Sequence, residues 1–321
     1  MTFLTDYTNI PENTRLYGGN AGFKKGVMID GINWIIKFPQ ETSTFSNVDI
    51  SFTTAPLSEY VGSHIYAILG YEVHNTKLGV CNNELINRKQ LVVACEDFTY
   101  NGKYTLVDYE TIKNNYSDAL QAKLINLKSS LPPYISEGIS THTIPIEEII
   151  VQFNENEIFK ICPEIKNLFW DMMVVDYIIN NNDRNKNNWG LLKDNDTNTF
   201  AVAPIYDNGA SFVSKHTDEK LERLLNDEKA LENSVLNGMC YYTIDSKLVN
   251  FLNLFKGLRN KDLSTDLDQA IERVKAKTNN KWGEIEDFIN KIPETENNIE
   301  IISKTKKSFF IKSMEIRINN I

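Results

Sequence analysis

The stretch that most constrains the fold begins at Pro163 and passes through Ile165, Leu168, Phe169, Trp170, Met172, Met173, Val175, Ile178 and Ile179. Apolar residues fall on nearly every face of a 3.6-residue period, so the run predicts a helix buried all round. Such a helix needs a shell of other elements, and 321 residues are enough to build one. Asn180-Asn181-Asn182-Asp183 ends it, because short polar side chains compete for the helical hydrogen bonds. No repeat period points to a solenoid. No apolar run reaches the ~18 residues of a membrane span.

The first hundred residues read as strands with one helix. Val27-Met28-Ile29 and Trp34–Phe38 flank Asp30-Gly31, a pair that favours a tight hairpin, and Pro39 closes the second strand. A helix is predicted from Pro56, at its first turn, to Leu69, with Gly70 as its stop. Further strands fall near 73–81 and 90–98. Past residue 100 the pattern turns helical, apart from a hairpin at Trp189–Leu192 and Phe200–Ala203. From 215 onward it is mostly amphipathic helix, including Leu263–Val274 and Ile299–Ile318. The expectation is an α+β, bilobal chain: a small β-rich lobe over residues 1–98, a connector near 95–100 and a larger helical lobe over 99–321. Ligands favour the cleft between such lobes.

A net charge of −9 argues against a basic surface that holds nucleic acid directly. The four cysteines, at 81, 95, 162 and 240, form no C-x-x-C pair and read as reduced thiols of a cytoplasmic protein. The N-terminus carries no ordinary signal peptide, which leaves export by another route open.

Four pieces carry chemistry. Gly18, Gly19, Asn20, Ala21 and Gly22 form a glycine-rich turn whose backbone N–H groups suit phosphate oxygens, or a plain structural loop. Lys37 sits on the opposite face of its strand from Trp34, Ile36 and Phe38, towards a cleft or towards solvent. Glu59, early in the 56–69 helix, either complements the helix dipole or pairs with Lys37. Asp183, Asn188 and, after the hairpin, Asp207-Asn208-Gly209 supply a base and two cation ligands of the kind phosphoryl transfer needs.

The Asp-x4-Asn spacing is weak alone. With 19 Asp and 38 Asn in the chain, about two matches arise by chance, and three occur, at Asp176, Asp183 and Asp245. Context selects Asp183: it ends the core helix, precedes a hairpin and is followed by Asp207 and Gly209.

The ordered set resembles the protein-kinase superfamily. Leu57-Ser58-Glu59-Tyr60, Val92–Phe98, Phe169-Trp170-Asp171-Met172, Asp183-Arg184 with Asn188-Trp189-Gly190, and Ala203–Asp207 make it most similar to the HipA-like serine/threonine kinases, in their short CtkA-type branch. The similarity runs from Tyr17 to Phe212. It implies Asp183 as catalytic base, Asn188 and Asp207 as Mg²⁺ ligands, and Lys37 on the ATP phosphates with Glu59 in support. It further implies a loop over 18–22 covering the phosphates and a hinge at Glu96, Asp97 and Phe98 facing adenine. Lys186, by position, would meet the transferred phosphoryl group.

Two departures stand out: Asn185 replaces the histidine many relatives carry, and residues 17–25 hold no Ser or Thr for loop autophosphorylation. The resemblance implies ATP and Mg²⁺ as cofactors, a protein substrate, autophosphorylation, and a toxin or effector role with an antitoxin as possible partner. A nucleotide-binding pseudokinase and a lipid or small-molecule kinase are the alternatives.

Overall fold

The structure is a computed structural model describing residues 2–15, 17–18, 22–45, 48, 50–84, 86–115, 117–132 and 143–321. Its N-terminal part is a five-stranded sheet in the order β1-β4-β5-β3-β2. The strands are β1 (Thr5–Asp6), β2 (Lys24–Ile29), β3 (Ile32–Lys37), β4 (Thr76–Asn83) and β5 (Arg88–Glu96). Only β1 runs parallel to its neighbour. Asp30 and Gly31 both take positive φ, 52° and 78°, as the tight turn between β2 and β3 requires. That turn fixes the register, setting Lys24 opposite Lys37.

One helix, α1 (Ala55–Ile68), packs on this sheet, with Pro56 in its first turn and Gly70 at φ +82° just past its end. The alternation expected in β3 is present. Trp34, Ile36 and Phe38 join Tyr7, Val27, Cys81, Val92 and Ala94 in a small cluster. Ile35 packs into the larger core shared with α1.

The C-terminal lobe is larger and mostly helical, which makes the whole an α+β, bilobal fold. It starts with β6 (Tyr104–Asp108), then α2 (Tyr109–Lys113), α3 (Asp118–Ser130), β7 (Ile144–Pro145), α4 (Ile146–Glu155) and α5 (Glu157–Ile161). The buried run forms α6 (Glu164–Ile179), and Phe169, Trp170, Met172, Met173, Val174, Val175, Ile178 and Ile179 are all buried. Each such side chain contributes roughly 1.5–3 kcal/mol on leaving water. Asn180 ends the helix in the left-handed conformation, φ 54°, which asparagine tolerates. Next come β8 (Gly190–Asp194) and β9 (Phe200–Val202), a hairpin that pairs with β6.

The last hundred residues depart from the sequence reading in two places. Between α7 (Asp218–Leu225), α8 (Glu228–Leu236) and α9 (Phe251–Asn260) lies a hairpin, β10 (Met239–Ile244) and β11 (Lys247–Asn250), with β10 also parallel to β7. Asp245 and Ser246, at φ 50° and 58°, make its turn. The helix expected from Ile299 instead begins at Lys304, because Ser303 caps it by accepting from the Lys306 N–H, and Ile299–Glu300 pairs with Thr295–Glu296. The helix expected over 263–274 is α10 (Thr265–Lys291), which runs past α6 and reaches α1, and the chain ends in α11 (Lys304–Asn319). At that junction His64 of α1 stacks on Phe288 of α10, centroids 4.9 Å apart. One apolar core therefore runs through both lobes. Among the described residues no helix is long and apolar enough to cross a membrane.

Candidate active site

β3 carries Lys37 to the edge of the cleft, where its amine donates to Glu59 Oε2 at 2.9 Å and to Asp207 Oδ1 at 2.8 Å. Burial alone would lower this lysine's pKa, but Asp207 and Glu59 hold it well above the ordinary value. Glu59 is 1% exposed and lies beyond the first turn of α1, so it acts as an ion-pair partner rather than a dipole complement. Its second oxygen, Oε1, accepts from His74 Nε2 at 2.9 Å and from the Asn208 N–H at 3.0 Å. Burial works to raise its pKa, and Lys37 and His74 nevertheless bring it far below the carboxylate range.

Asp207 arrives on a loop fastened to the N-terminal lobe. Val73 bridges Ile205, whose N–H donates to the Glu72 carbonyl and whose carbonyl accepts from the His74 N–H. Asp207 itself is left-handed, φ 61°. The next residues are also anchored: the Phe212 N–H donates to the Ile179 carbonyl, and Phe212 stacks on Phe310 of α11 at 4.0 Å.

Asp183 follows α6 directly. Its Oδ1 accepts from Asn185 Nδ2 at 3.0 Å, and its backbone carbonyl accepts from Asn188 Nδ2 at 2.7 Å. Burial pushes the Asp183 carboxyl up, and the nearby Asp207 charge adds to this. Because the Asn188 nitrogen is committed, its oxygen is the atom left for a cation. Asp207 spends Oδ1 on Lys37 and, at 40% exposure, has Oδ2 to offer. A carboxylate and an amide oxygen are hard donors of the kind Mg²⁺ takes, so the residues fit that ion.

Beneath both loops lies Arg184, donating through Nε to Asp176 Oδ2 at 2.8 Å, through Nη1 to the carbonyls of Asn188 and Tyr206, and through Nη2 to Asn208 Oδ1 at 2.6 Å. Asp176, a chance match to the Asp-x4-Asn spacing, is thus the buried counter-ion of the loop. Asp245, the other, lies in the β10–β11 turn and pairs with Lys261.

No protein-family model matches the chain. The serine/threonine-protein kinase CtkA of Helicobacter pylori is 29% identical over 260 residues, covering 80% of this chain and 71% of that protein. The crystal structure of the H. pylori proinflammatory kinase CtkA superposes with a TM-score of 0.77 over 99% of this chain and 95% of that one, at 24% identity. A chain from the Shewanella oneidensis HipA–HipB–operator DNA complex gives a TM-score of 0.54 at 10% identity, over 96% of this chain and 66% of that one. The chain has the kinase-like fold of CtkA and HipA.

Within the kinase cleft, Lys37, Glu59, Asp207, Asn188 and Asp183 are brought together. Gly18 and Gly22 border the glycine-rich turn, while Gly19, Asn20 and Ala21 lie outside the described residues. Gly22, at φ 67°, is in the region glycine favours. The three hinge positions have different surroundings. Glu96 and Asp97 donate their N–H groups to the Asn75 and Asn33 carbonyls, and the Asp97 carboxylate holds Arg15 at 2.7 Å and the Tyr17 hydroxyl at 3.2 Å. Phe98 packs across the cleft on Tyr206, centroids 5.5 Å apart. Lys186 is paired with Glu110 at 2.9 Å.

Sequence reasoning passed over Lys24, His74, Arg184, Asn208 and Tyr241. Lys24 stands opposite Lys37, its amine on the Gly18 carbonyl at 2.7 Å; burial and the Lys37 charge lower its pKa. Counting back from the Asp30-Gly31 turn would have found it. Tyr241, on the β10–β11 hairpin that the sequence reading took for helix, lies beside Asp183 and works against the rise of its carboxyl pKa. Glu59, His74 and Cys95 place ligand-type atoms within 4.8 Å of one another, yet both Glu59 oxygens already serve Lys37, His74 and Asn208.

Proposed function

We propose that this protein is an ATP- and Mg²⁺-dependent serine/threonine protein kinase that transfers the γ-phosphoryl group to a protein hydroxyl. The observation that carries this reading is the Lys37 amine held between Glu59 and Asp207, with Asp183 on the adjoining loop. In it, Lys37 binds the α/β-phosphates and Glu59 aims it. Asp207 Oδ2 and Asn188 Oδ1 hold the cation, which when bound offsets charge on the phosphate oxygens. Adenine meets the hinge at the Phe98 N–H, which has no protein acceptor among the described residues, and at the hinge carbonyls.

The acceptor hydroxyl gives its proton to Asp183 as its oxygen bonds to Pγ and the bond from Pγ to the β,γ-bridging oxygen breaks. A carboxyl raised by burial suits a general base. Asn185, in place of a histidine, orients Asp183 through Oδ1 and leaves Oδ2 for the proton. Lys186 lies two residues beyond Arg184, and release from Glu110 brings it to the transferred group.

Incubation with γ-labelled ATP and Mg²⁺ tests the reading. Wild type incorporates phosphate, and Asp183→Asn and Asp207→Asn each lose about 10²-fold or more. Absence of both nucleotide turnover and incorporation in wild type sinks it, and incorporation that survives both substitutions sinks the assignments. Because Asp183 is raised, it takes up a proton at a higher pH than an ordinary aspartate, so kcat/KM falls on acidification beginning above pH 3.8.

Autophosphorylation belongs to the same proposal, at a site outside residues 17–25, which hold no Ser or Thr. A cytoplasmic setting agrees with four buried, unpaired cysteines. A toxin or effector role and an antitoxin partner rest on the descriptions of the two relatives. Direct contact with nucleic acid is not part of the reading, given the charge of −9.

A further inference from the structure

Asn208, the residue after the proposed metal ligand, is fully buried and uses every polar group shown on it. Its backbone N–H donates to Glu59 Oε1 at 3.0 Å, its Nδ2 donates to Ser63 Oγ at 3.0 Å, and its Oδ1 accepts from Arg184 Nη2 at 2.6 Å. Ser63 in turn lies 3.2 Å from His74 Nε2, the other donor on Glu59 Oε1. The Asn208 side chain therefore ties the floor of the Asp183 loop, through Arg184, to α1 at Ser63, while its backbone N–H reaches the Lys37–Glu59 pair.

The residue before it is held in a conformation that non-glycine residues seldom adopt. Asp207 has φ +61°, and such a backbone persists only when its surroundings fix it. The surroundings here are the Asn208 contacts on one side and the Val73–Ile205 bridge on the other. The left-handed turn points Asp207 Oδ1 at Lys37, 2.8 Å away. Space is tight: a Cβ on Gly62 would meet the Asn208 Cβ at 3.0 Å, so α1 seats Asn208 closely.

We infer that Asn208 is the positioning residue for the cation. It fixes Asp207 in its left-handed conformation and links the cation to the aim of Lys37, so that metal and nucleotide are bound together rather than independently. The inference rests on the proposed function only in taking Asp207 as the cation ligand and ATP as the nucleotide. Arg184 and Ser63 hold Asn208, and Glu59 receives its N–H.

The test measures binding rather than turnover. A non-hydrolysable ATP analogue is titrated by calorimetry into wild type, Asn208→Ala, Ser63→Ala and Arg317→Met, at a series of Mg²⁺ concentrations and in EDTA. Arg317→Met, on α11 and bonded to none of the proposed nucleotide or cation ligands, controls for lost stability. In Asn208→Ala the Mg²⁺ concentration at half-maximal binding rises about tenfold, the factor expected for one lost charge-assisted hydrogen bond, while affinity in EDTA changes less than about twofold. Ser63→Ala, which removes the Nδ2 partner and the Ser63–His74 contact but keeps the Arg184 bond, shifts it about two- to fivefold. Arg317→Met leaves it unchanged. A shift in Asn208→Ala no larger than in Arg317→Met, or an equal loss with and without Mg²⁺, overturns the inference and leaves the kinase reading standing. Should Asn208→Ala not fold, Ser63→Ala decides alone, and a shift below about twofold overturns the inference. Failure of wild type to bind the analogue at any Mg²⁺ concentration overturns both.

Discussion

Arg184 and Arg317 are each only 2% exposed, and they stay charged by opposite means. Arg184 faces a carboxylate. Burial would lower its pKa, but Asp176 on the last turns of α6 carries it above the ordinary arginine range. Its remaining N–H groups reach the carbonyls of Asn188 and Tyr206 and the Asn208 amide, each on a loop that holds a proposed catalytic or metal group. Arg317 has no carboxylate partner among the described residues. It donates to the Val235 carbonyl at 3.2 Å and the Ile178 carbonyl at 3.3 Å, in the last turns of α8 and α6. Those helix ends carry partial negative charge. Burial pulls Arg317 down to about 10, low for an arginine yet still charged at neutral pH. The first arginine is one half of a buried pair that organises a site. The second braces helix ends with dipoles alone, and the helix it braces is the one that delivers Asp183.

The contrast predicts an order of effects. Arg184→Met strands Asp176 inside the protein and costs about 3–5 kcal/mol in denaturant unfolding, whereas Arg184→Met with Asp176→Leu costs less than that single change. A double variant as unstable as the single would break the claim that the stranded charge is the penalty. Arg317→Met leaves no charge behind, so it costs about 1 kcal/mol, the worth of its helix-end hydrogen bonds less the relieved burial of a cation. A cost equal to that of Arg184→Met would erase the distinction.

The smallest effect separates the two regions by pH. Glu59 is depressed in the fold, so its stabilisation is fully present above pH 4.5, its ordinary value, and fades as pH falls further. The cost of Glu59→Gln therefore shrinks on going from pH 7 to below 4.5. The cost of Arg317→Met stays flat over the same range, because no acid faces that side chain. A flat Glu59→Gln curve would show that Glu59 is not held as a depressed carboxylate.

What could be read from the sequence follows the range of the forces involved. The all-round apolar run gave α6, Asp30-Gly31 gave the first hairpin and its register, and strand alternation turned Lys37 away from Trp34. These are local signals spanning a few residues. Asn208 and His74 were not legible, because their meaning lies in contacts with Glu59 that are 149 and 15 residues away in the chain. The chain's 38 asparagines also hide the few that do structural work, such as Asn180 and Asn188. The β10–β11 hairpin was missed because amphipathic helices flank it. Its own cues were Tyr241-Tyr242-Thr243 and a polar Asp245-Ser246 turn.

The tight seating of Asn208 also bears on how long the protein lasts. Asn208-Gly209 is a sequence in which the following backbone nitrogen readily attacks the side-chain amide, releasing ammonia and leaving aspartate or isoaspartate; asparagine is counted among the thermolabile residues for this reason. In the fold, Arg184 holds the amide oxygen and Ser63 the amide nitrogen, so the side chain is kept from swinging onto the Gly209 nitrogen. The same contacts that set the loop act as a chemical preservative. Once they loosen, the damage places a new negative charge beside Glu59, at a junction between the two lobes, and refolding does not reverse it.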